Sequence, residues 1–438
     1  MEYRSVPVRY GSATQTLRVP ARNLAFVAGL GRNARHVEIS KAVDEALAKP
    51  YGAATLAKLA SADQNVTIVI DDNTRLTPTA EVLPPIIREL ESAGVTPERI
   101  TIVVALGTHR PMTEPELAAK LGDLNGRFAV LQHDARGDLV HVGSTHTGTP
   151  ILVNKVVAEA DLTVAVGMIL PHYPAGWSGG AKLLLPGVAG EDTIAAMHLL
   201  GVDDPTLLGN VDTPCRREME SFTRRVGLDF IVNVVLDADA HVTAVVAGDF
   251  IHAHRAGVRA AEEILLVEVD EAADLTVSST APVDYDFFQA DKGLFSAALV
   301  TRKGGEIVLV SPCREGISPA HSTITDFAQY GFEELIEMIP TGSFDRLAAI
   351  EALYLKVLTE RFAVSVYSAG LQDGFLEAFG LRRVKELQAA VDERIRRQPG
   401  VRIGILHQSA ELLPRVRGGV GSGSLIASTH RPDEGAQQ

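Results

Sequence analysis

Three short segments of the chain concentrate side chains able to do chemistry. Asp71-Asp-Asn-Thr-Arg75 places two carboxylates, an amide, a hydroxyl and a guanidinium directly after an apolar run. Read as chemistry, Asp72 supports a ligand ribose or a neighbouring side chain, and Arg75 is a bidentate clamp for a carboxylate or phosphate. A helix cap with a structural ion pair is the plain alternative. Gly107-Thr-His-Arg110 also follows an apolar run, and His109 is a natural proton carrier near neutral pH. The third segment runs from Pro171 to Gly187, PHYPAGWSGGAKLLLPG, with His172 and Lys182 ten residues apart. Its glycines 176, 179 and 180 permit close backbone approach to an anion. The lysine fits no Walker spacing, because alanine precedes it and leucine follows. A phosphate clamp, a covalent attachment point and a solvated lysine on a tight turn all remain open for it. Sixteen residues further on, His198 lies in a helical stretch, DTIAAMHLLG, either as a core residue or as a ligand for Ni, Zn or Cu.

Positioning these residues requires α/β elements. VTIVI (66–70), ITIVVAL (100–106) and LTVAVGMIL (162–170) read as buried strands, each followed by one of the three loops and then a helix. Thr113 and Glu116 form a capping box for the helix after GTHRPM, and Asp192 is the expected N-cap of the helix holding His198. In such layered sheets ligands bind beyond the carboxyl ends of the strands, so the three loops are expected to converge. A second α/β pattern starts near residue 264 and includes strands at EIVLVSP, 363–367 and 401–406. The fold class is α/β, with two α/β domains, mostly parallel sheets and the active site in the cleft between them. The expected boundaries are 1–265 for a cofactor-binding domain, rejoined by 401–416, then 266–400 for a substrate-side domain, and a loose Gly/Ser-rich tail over 417–438.

Composition narrows the partners. With 41 basic and 55 acidic residues the net charge is −14, which argues against a general nucleic-acid or anionic-membrane surface. Two distant cysteines, Cys215 and Cys313, exclude a disulfide framework or thiolate cluster. No apolar run approaches spanning length, the opening MEYRSVPVRYG reads as a strand, and the cytoplasm is the expected location.

Taken together, DNTRLTP (72–78), GTHRPMT (107–113), PHYPAGWSGGAKLLLPG (171–187), His198 and Gln289-Ala-Asp-Lys292 resemble the lactate racemase family that uses a nickel-pincer nucleotide. The resemblance implies a pyridinium-3,5-bisthiocarboxylic acid mononucleotide nickel cofactor, covalently attached to Lys182, with His198 as the metal ligand. It implies His109 and His172 as the acid/base pair, and Arg75, Gln289 and Lys292 as substrate-binding residues. Cofactor contacts are implied for Asp72, Thr74, Trp177, Ser178, Gly179, Gly180 and Pro186. It also implies maturation by cofactor-biosynthesis enzymes.

The chemistry is consistent with these roles. The α-C–H of a 2-hydroxy acid is very weakly acidic, whereas hydride removal gives a planar 2-keto acid. Return of the hydride on the other face, with a base on each side, inverts C2. Leu76 stands where the family pattern leads one to expect proline. Tyr367 and Ser368 occupy a region where a tryptophan near the substrate is expected. The resemblance leads one to expect lactate or another short-chain 2-hydroxy acid as substrate, with a sugar acid epimerised at C2 as the alternative. A zinc hydrolase built from His109, His172 and His198 is disfavoured because no HExxH-type spacing is present.

Overall fold

The computed structural model describes residues 2–31 and 36–418. The tail expected from 417 onward lies almost wholly outside the described residues. Twelve strands make the two principal sheets: β1 (Leu24–Ala28), β2 (Val66–Asp71), β3 (Ile100–Ala105), β4 (Ala129–Gln132), β5 (Leu162–Met168), β6 (Phe230–Leu236), β7 (Val242–Gly248), β8 (Ala273–Ser279), β9 (Thr301–Val310), β10 (Ala363–Tyr367), β11 (Arg382–Arg383) and β12 (Ile403–Leu406). The helices used below are α1 (Glu114–Leu121), α2 (Glu191–His198), α3 (Pro214–Val226), α4 (His252–Leu265), α5 (Lys292–Ala298) and α6 (Arg346–Arg361).

The first sheet runs β7-β6-β5-β2-β3-β4 and is parallel except for the β6/β7 hairpin. Every residue of β2, β5 and β6 is buried, as expected for parallel strands covered on both faces. The chain lays down β2, β3 and β4 outward, then returns to place β5 against the other side of β2. The point where strand order reverses therefore falls between β2 and β5, and a crevice opens at their carboxyl ends. Both of the richest loops leave from that crevice.

The second sheet runs β11-β10-β9-β8-β12-β1 and is parallel throughout. Here the order reverses between β8 and β12. An antiparallel hairpin, Tyr3–Tyr10 with Ala13–Pro20, packs Val6, Val8, Leu17 and Val19 into this sheet's core.

The expected division of the chain is corrected in two places. Residues 401–416 do not rejoin the first sheet: β12 pairs with β8 and β1, and Leu413–Val416 pairs with Leu266–Val269. Residues 3–28 also belong with the second sheet. The physical reason is the burial of β8, which needs a partner on each side; the 280–400 segment supplies strands on one side only. Asp192 is likewise not the N-cap of α2, since Gly190 holds that place and Asp192 lies in the first turn. The Thr113–Glu116 capping box is present. Among the described residues no helix is long and apolar enough to cross a membrane.

Candidate active site

The loops after β2, β3 and β5 meet the segment after β8 and helix α6 around one cleft. Asp72, Thr74, Arg75, His109, His172, Ser178, Gly179, Lys182, Pro186, His198, Gln289 and Lys292 all line it. The convergence expected from the strand ends is therefore observed.

The β2 exit is built around two carboxylates facing different ways. Asp71 turns inward, where it takes a 2.7 Å ion pair from buried Lys120 of α1 and a 2.5 Å bond from the Thr77 hydroxyl. Lys120 also donates to the carbonyls of Asp72 and Arg75, which fixes the turn between them. Asp72 turns toward the cleft. Its Oδ1 accepts from the Thr74 amide and hydroxyl, and its Oδ2 lies 2.6 Å from His109 Nδ1. Burial alone would raise the Asp72 pKa, but His109 and Arg75 hold its carboxyl well below the usual carboxylate range. For His109 burial lowers the pKa, ahead of the opposing pull of Asp72. The pair is thus an ionised carboxylate orienting a neutral imidazole, with Nδ1 engaged and Nε2 free to exchange a proton.

His172 is held differently. Pro171–His172 pairs with Gly176–Trp177 in a short hairpin. Its Nδ1 is buried with no hydrogen-bond partner among the described residues. Burial, then Lys182, Lys292 and Arg75, push its pKa well below the ordinary histidine value. Among the described residues no carboxylate backs this ring.

Three cations face the cleft without a carboxylate in ion-pair contact among the described residues: Arg75, Lys182 and Lys292. Arg75 spends Nη1 on its neighbour Thr74, and Lys292 Nζ donates to Gln289 Oε1. Lys182 Nζ has no hydrogen bond among the described residues. Burial, with Arg75 and Lys292 nearby, drives its pKa well below that of a free lysine. Burial disfavours the charged form of this unpaired amine and so favours its action as a nucleophile. His198 directs Nδ1 to the Ile194 carbonyl at 2.9 Å, and burial brings its pKa down to about 4. Its Nε2 lone pair is therefore free to bind a metal.

Other expected contacts fall elsewhere. Trp177 does not line the cleft; it is fully buried and its indole N–H donates to the Gly209 carbonyl at 2.8 Å. Gly180 is also outside the lining, and its N–H is taken by Asn233 Oδ1 at 2.8 Å. Ser178 lines the cleft, but its hydroxyl is spent bridging the Met168 carbonyl and the Leu170 amide. At Gly176, with φ +75°, a Cβ would sit 1.6 Å from the Asn210 carbonyl oxygen. These residues shape the loop by packing it against the protein itself. Tyr367 and Ser368 are outside the lining too: Tyr367 packs on Tyr10, and Ser368 bonds the Pro312 carbonyl. Phe295, Leu347, Ile350 and Tyr354 supply apolar wall instead.

Several residues of the site escaped the sequence reading. His321 stands between Asp345, at 2.9 Å, and the Thr108 hydroxyl, at 3.1 Å, so it joins the second unit to the loop carrying His109. Asp345 had a legible signal as the N-cap of α6. Asp291 and Glu351 are buried acids in the cleft lining, with Glu351 on the buried stretch of α6 between Leu347 and Leu355. Burial raises both pKa values, and for Glu351 the adjacent Asp291 raises it further. The three cleft histidines do not gather into one metal site. Among the described residues a single group of three His, Cys, Asp or Glu side chains has donor atoms within 4.8 Å of one another: His36, Asp237 and His241. The hydrolase reading of His109, His172 and His198 is thereby overturned.

Comparison with known proteins gives a consistent result. A family model for the lactate racemase N-terminal domain matches residues 10–207. A lactate racemase of Lactiplantibacillus plantarum is 33% identical over 323 residues, which is 71% of this chain and 76% of that protein. One from Thermoanaerobacterium thermosaccharolyticum is 31% identical over 71% of this chain and 75% of that protein. The structure of the lactate racemase apoprotein from T. thermosaccharolyticum superposes with a TM-score of 0.83 at 25% identity, covering 94% of this chain and all of that one. A Thermotoga maritima protein shares the fold alone, with a TM-score of 0.68 at 20% identity, over 87% of this chain and all of that one.

Proposed function

The chain belongs to the lactate racemase family, isomerases acting on a hydroxy acid, and from that premise we propose that its cleft inverts C2 of lactate or another short-chain 2-hydroxy acid. The observation that carries this reading is two imidazoles, from loops after different strands, lining one cleft with three cations that lack ion-pair partners.

The residues present also fit a tethered nickel-pincer nucleotide. Lys182 offers an unpaired buried amine for attachment, and His198 offers Nε2 for the metal. Such a group, when bound, supplies a reversible acceptor for the C2 hydride. Thr74, Gly179 and Pro186 border the same space, and Ser178 holds the loop around it.

The chain's own residues do the remaining work. Arg75 and Lys292 bind the substrate carboxylate, and Gln289 orients Lys292 through its side-chain oxygen. His109 takes the hydroxyl proton at Nε2, while Asp72 steadies the imidazolium that results. His172 enters that turnover as the imidazolium and gives its proton when the hydroxyl reforms on the other face, leaving His109 protonated as the donor for the reverse direction. A second cavity shares Thr74, His109, Phe288 and Gln289 with the cleft and is lined further out by Tyr285, Asp286, Glu315, Ser318 and His321. This polar extension favours a second reading, in which the acid carries a longer hydroxylated chain.

The test is intact mass after co-expression with cofactor-making enzymes, followed by chiral chromatography on enantiopure 2-hydroxy acids. An adduct on Lys182 and inversion of at least one acid are expected. An unmodified Lys182 in protein that inverts lactate would remove the tether from the reading. Faster inversion of aldonic acids than of lactate would establish the longer-chain alternative.

A further inference from the structure

We propose that His36, Asp237 and His241 form a second metal site, for a borderline divalent cation of the zinc type, away from the cleft. His36 precedes the helix Ile39–Ala48, next to Val37, whose N–H bonds the Val242 carbonyl. Asp237 and His241 bound the tight turn between β6 and β7. The three donor atoms lie within 4.8 Å of one another. His36 Nε2 is 2.7 Å from Asp237 Oδ2, and His241 Nδ1 is 3.7 Å from Asp237 Oδ1. The two imidazoles stack at 4.2 Å between centroids.

The carboxylate is fixed before any cation arrives. Its Oδ1 accepts the N–H groups of Asp239 and His241, each at 3.0 Å, and the side chain is 1% exposed. The imidazoles, 46% and 56% exposed, leave an approach from solvent. An anchored oxygen and two adjustable nitrogens must move together by roughly an ångström to reach metal-ligand distances of about 2.0–2.2 Å. Two imidazoles and one carboxylate suit zinc and its borderline neighbours; calcium and magnesium prefer all-oxygen sets, and copper(I) prefers sulfur. Water completes the coordination.

The location gives the site a consequence. The turn it uses is also gripped from the second unit, where Gln408 Nε2 donates to the Ala238 carbonyl at 2.8 Å. A cation here would tie the chain entering the first unit to the same turn that the second unit touches. None of the three residues lines the cleft, so this site and the proposed His198 nickel ligand are separable.

The experiment is equilibrium dialysis of the full-length chain, prepared without its cofactor and without an affinity tag, against Zn2+ alone, with bound metal measured by mass spectrometry. The same preparations are followed by thermal unfolding. One bound zinc is expected in the wild type and in His198→Ala, with binding lost in His36→Ala and in His241→Ala. Zinc should raise the midpoint of the wild type and leave those two variants unmoved. Asp237→Asn, which keeps the turn's acceptor, should bind zinc more weakly while unfolding as cooperatively as the wild type. Equal binding in His36→Ala or His241→Ala would overturn the proposal, as would a wild type that takes up no zinc.

Discussion

The two cleft histidines are held in opposite ways. His109 has a carboxylate behind it, 2.6 Å away, and that carboxylate is itself braced by Thr74. His172 has a buried, unpartnered Nδ1 and cations for neighbours. An imidazole backed by a fixed anion can carry a proton on its own account. One surrounded by cations can do so only when a ligand brings negative charge beside it. The difference implies that the His172 face is completed by what binds there, whereas the His109 face is built by the protein.

The largest test of this contrast removes each ring. His109→Ala and His172→Ala should each lower inversion by about 10²–10⁴-fold, read by chiral chromatography on protein whose Lys182 mass is checked first. Unequal losses would show that one ring dispenses with the other.

Asp72→Asn should cost on the order of 10–100-fold and should affect the His109 face alone. Because Asp72 raises the His109 pKa, the acid limb governed by that ring should move to lower pH in the variant. An unchanged pH–rate profile would mean that Asp72 does not control His109.

Stability against pH gives a smaller effect. His109, His172 and His198 have folded pKa values below 6.5, so between that value and their folded values the unfolded chain binds more protons. Stability is full above pH 6.5 and falls as pH drops below it, toward about 4 for His198. The urea midpoint should therefore decline from pH 7 to pH 5. His172→Gln should flatten that slope more than His109→Gln, because His172 is depressed further. Equal slopes would erase the contrast.

Trp177→Phe should have the least effect. It loses one indole bond, about 1 kcal/mol of stability, and loosens the hairpin that carries His172. The Lys182 adduct should persist. Its loss would return Trp177 to the ligand.

Much of the site was legible because strand ends are legible. Apolar runs that stop at DDNTR, GTHR and PHYPAGW identify three loops, and sheet geometry brings such loops together. The roles of the glycines were not legible from local spacing. Gly176 and Gly180 answer to Asn210 and Asn233, partners set by tertiary packing. The same holds for Lys120, which reads as an ordinary surface lysine of α1 until Asp71 is found beside it. His321 was missed because its two partners lie on different units of the fold. The ownership of 401–416 failed for a related reason, since sequence order says little about which edge of a sheet a late strand completes.

That late strand has a consequence for how the molecule is made. Among the described residues β12 is the one strand that pairs with β1, so residues 24–28 wait for residues 403–406 before they have a sheet to join. A chain emerging from the ribosome can close β2 to β7 as a contiguous unit while its first segment is still without a partner. Residues 24–28 are thus made long before the strand that they join. Shortening the chain before residue 403 would leave both of its ends, rather than one, without a place in the sheet.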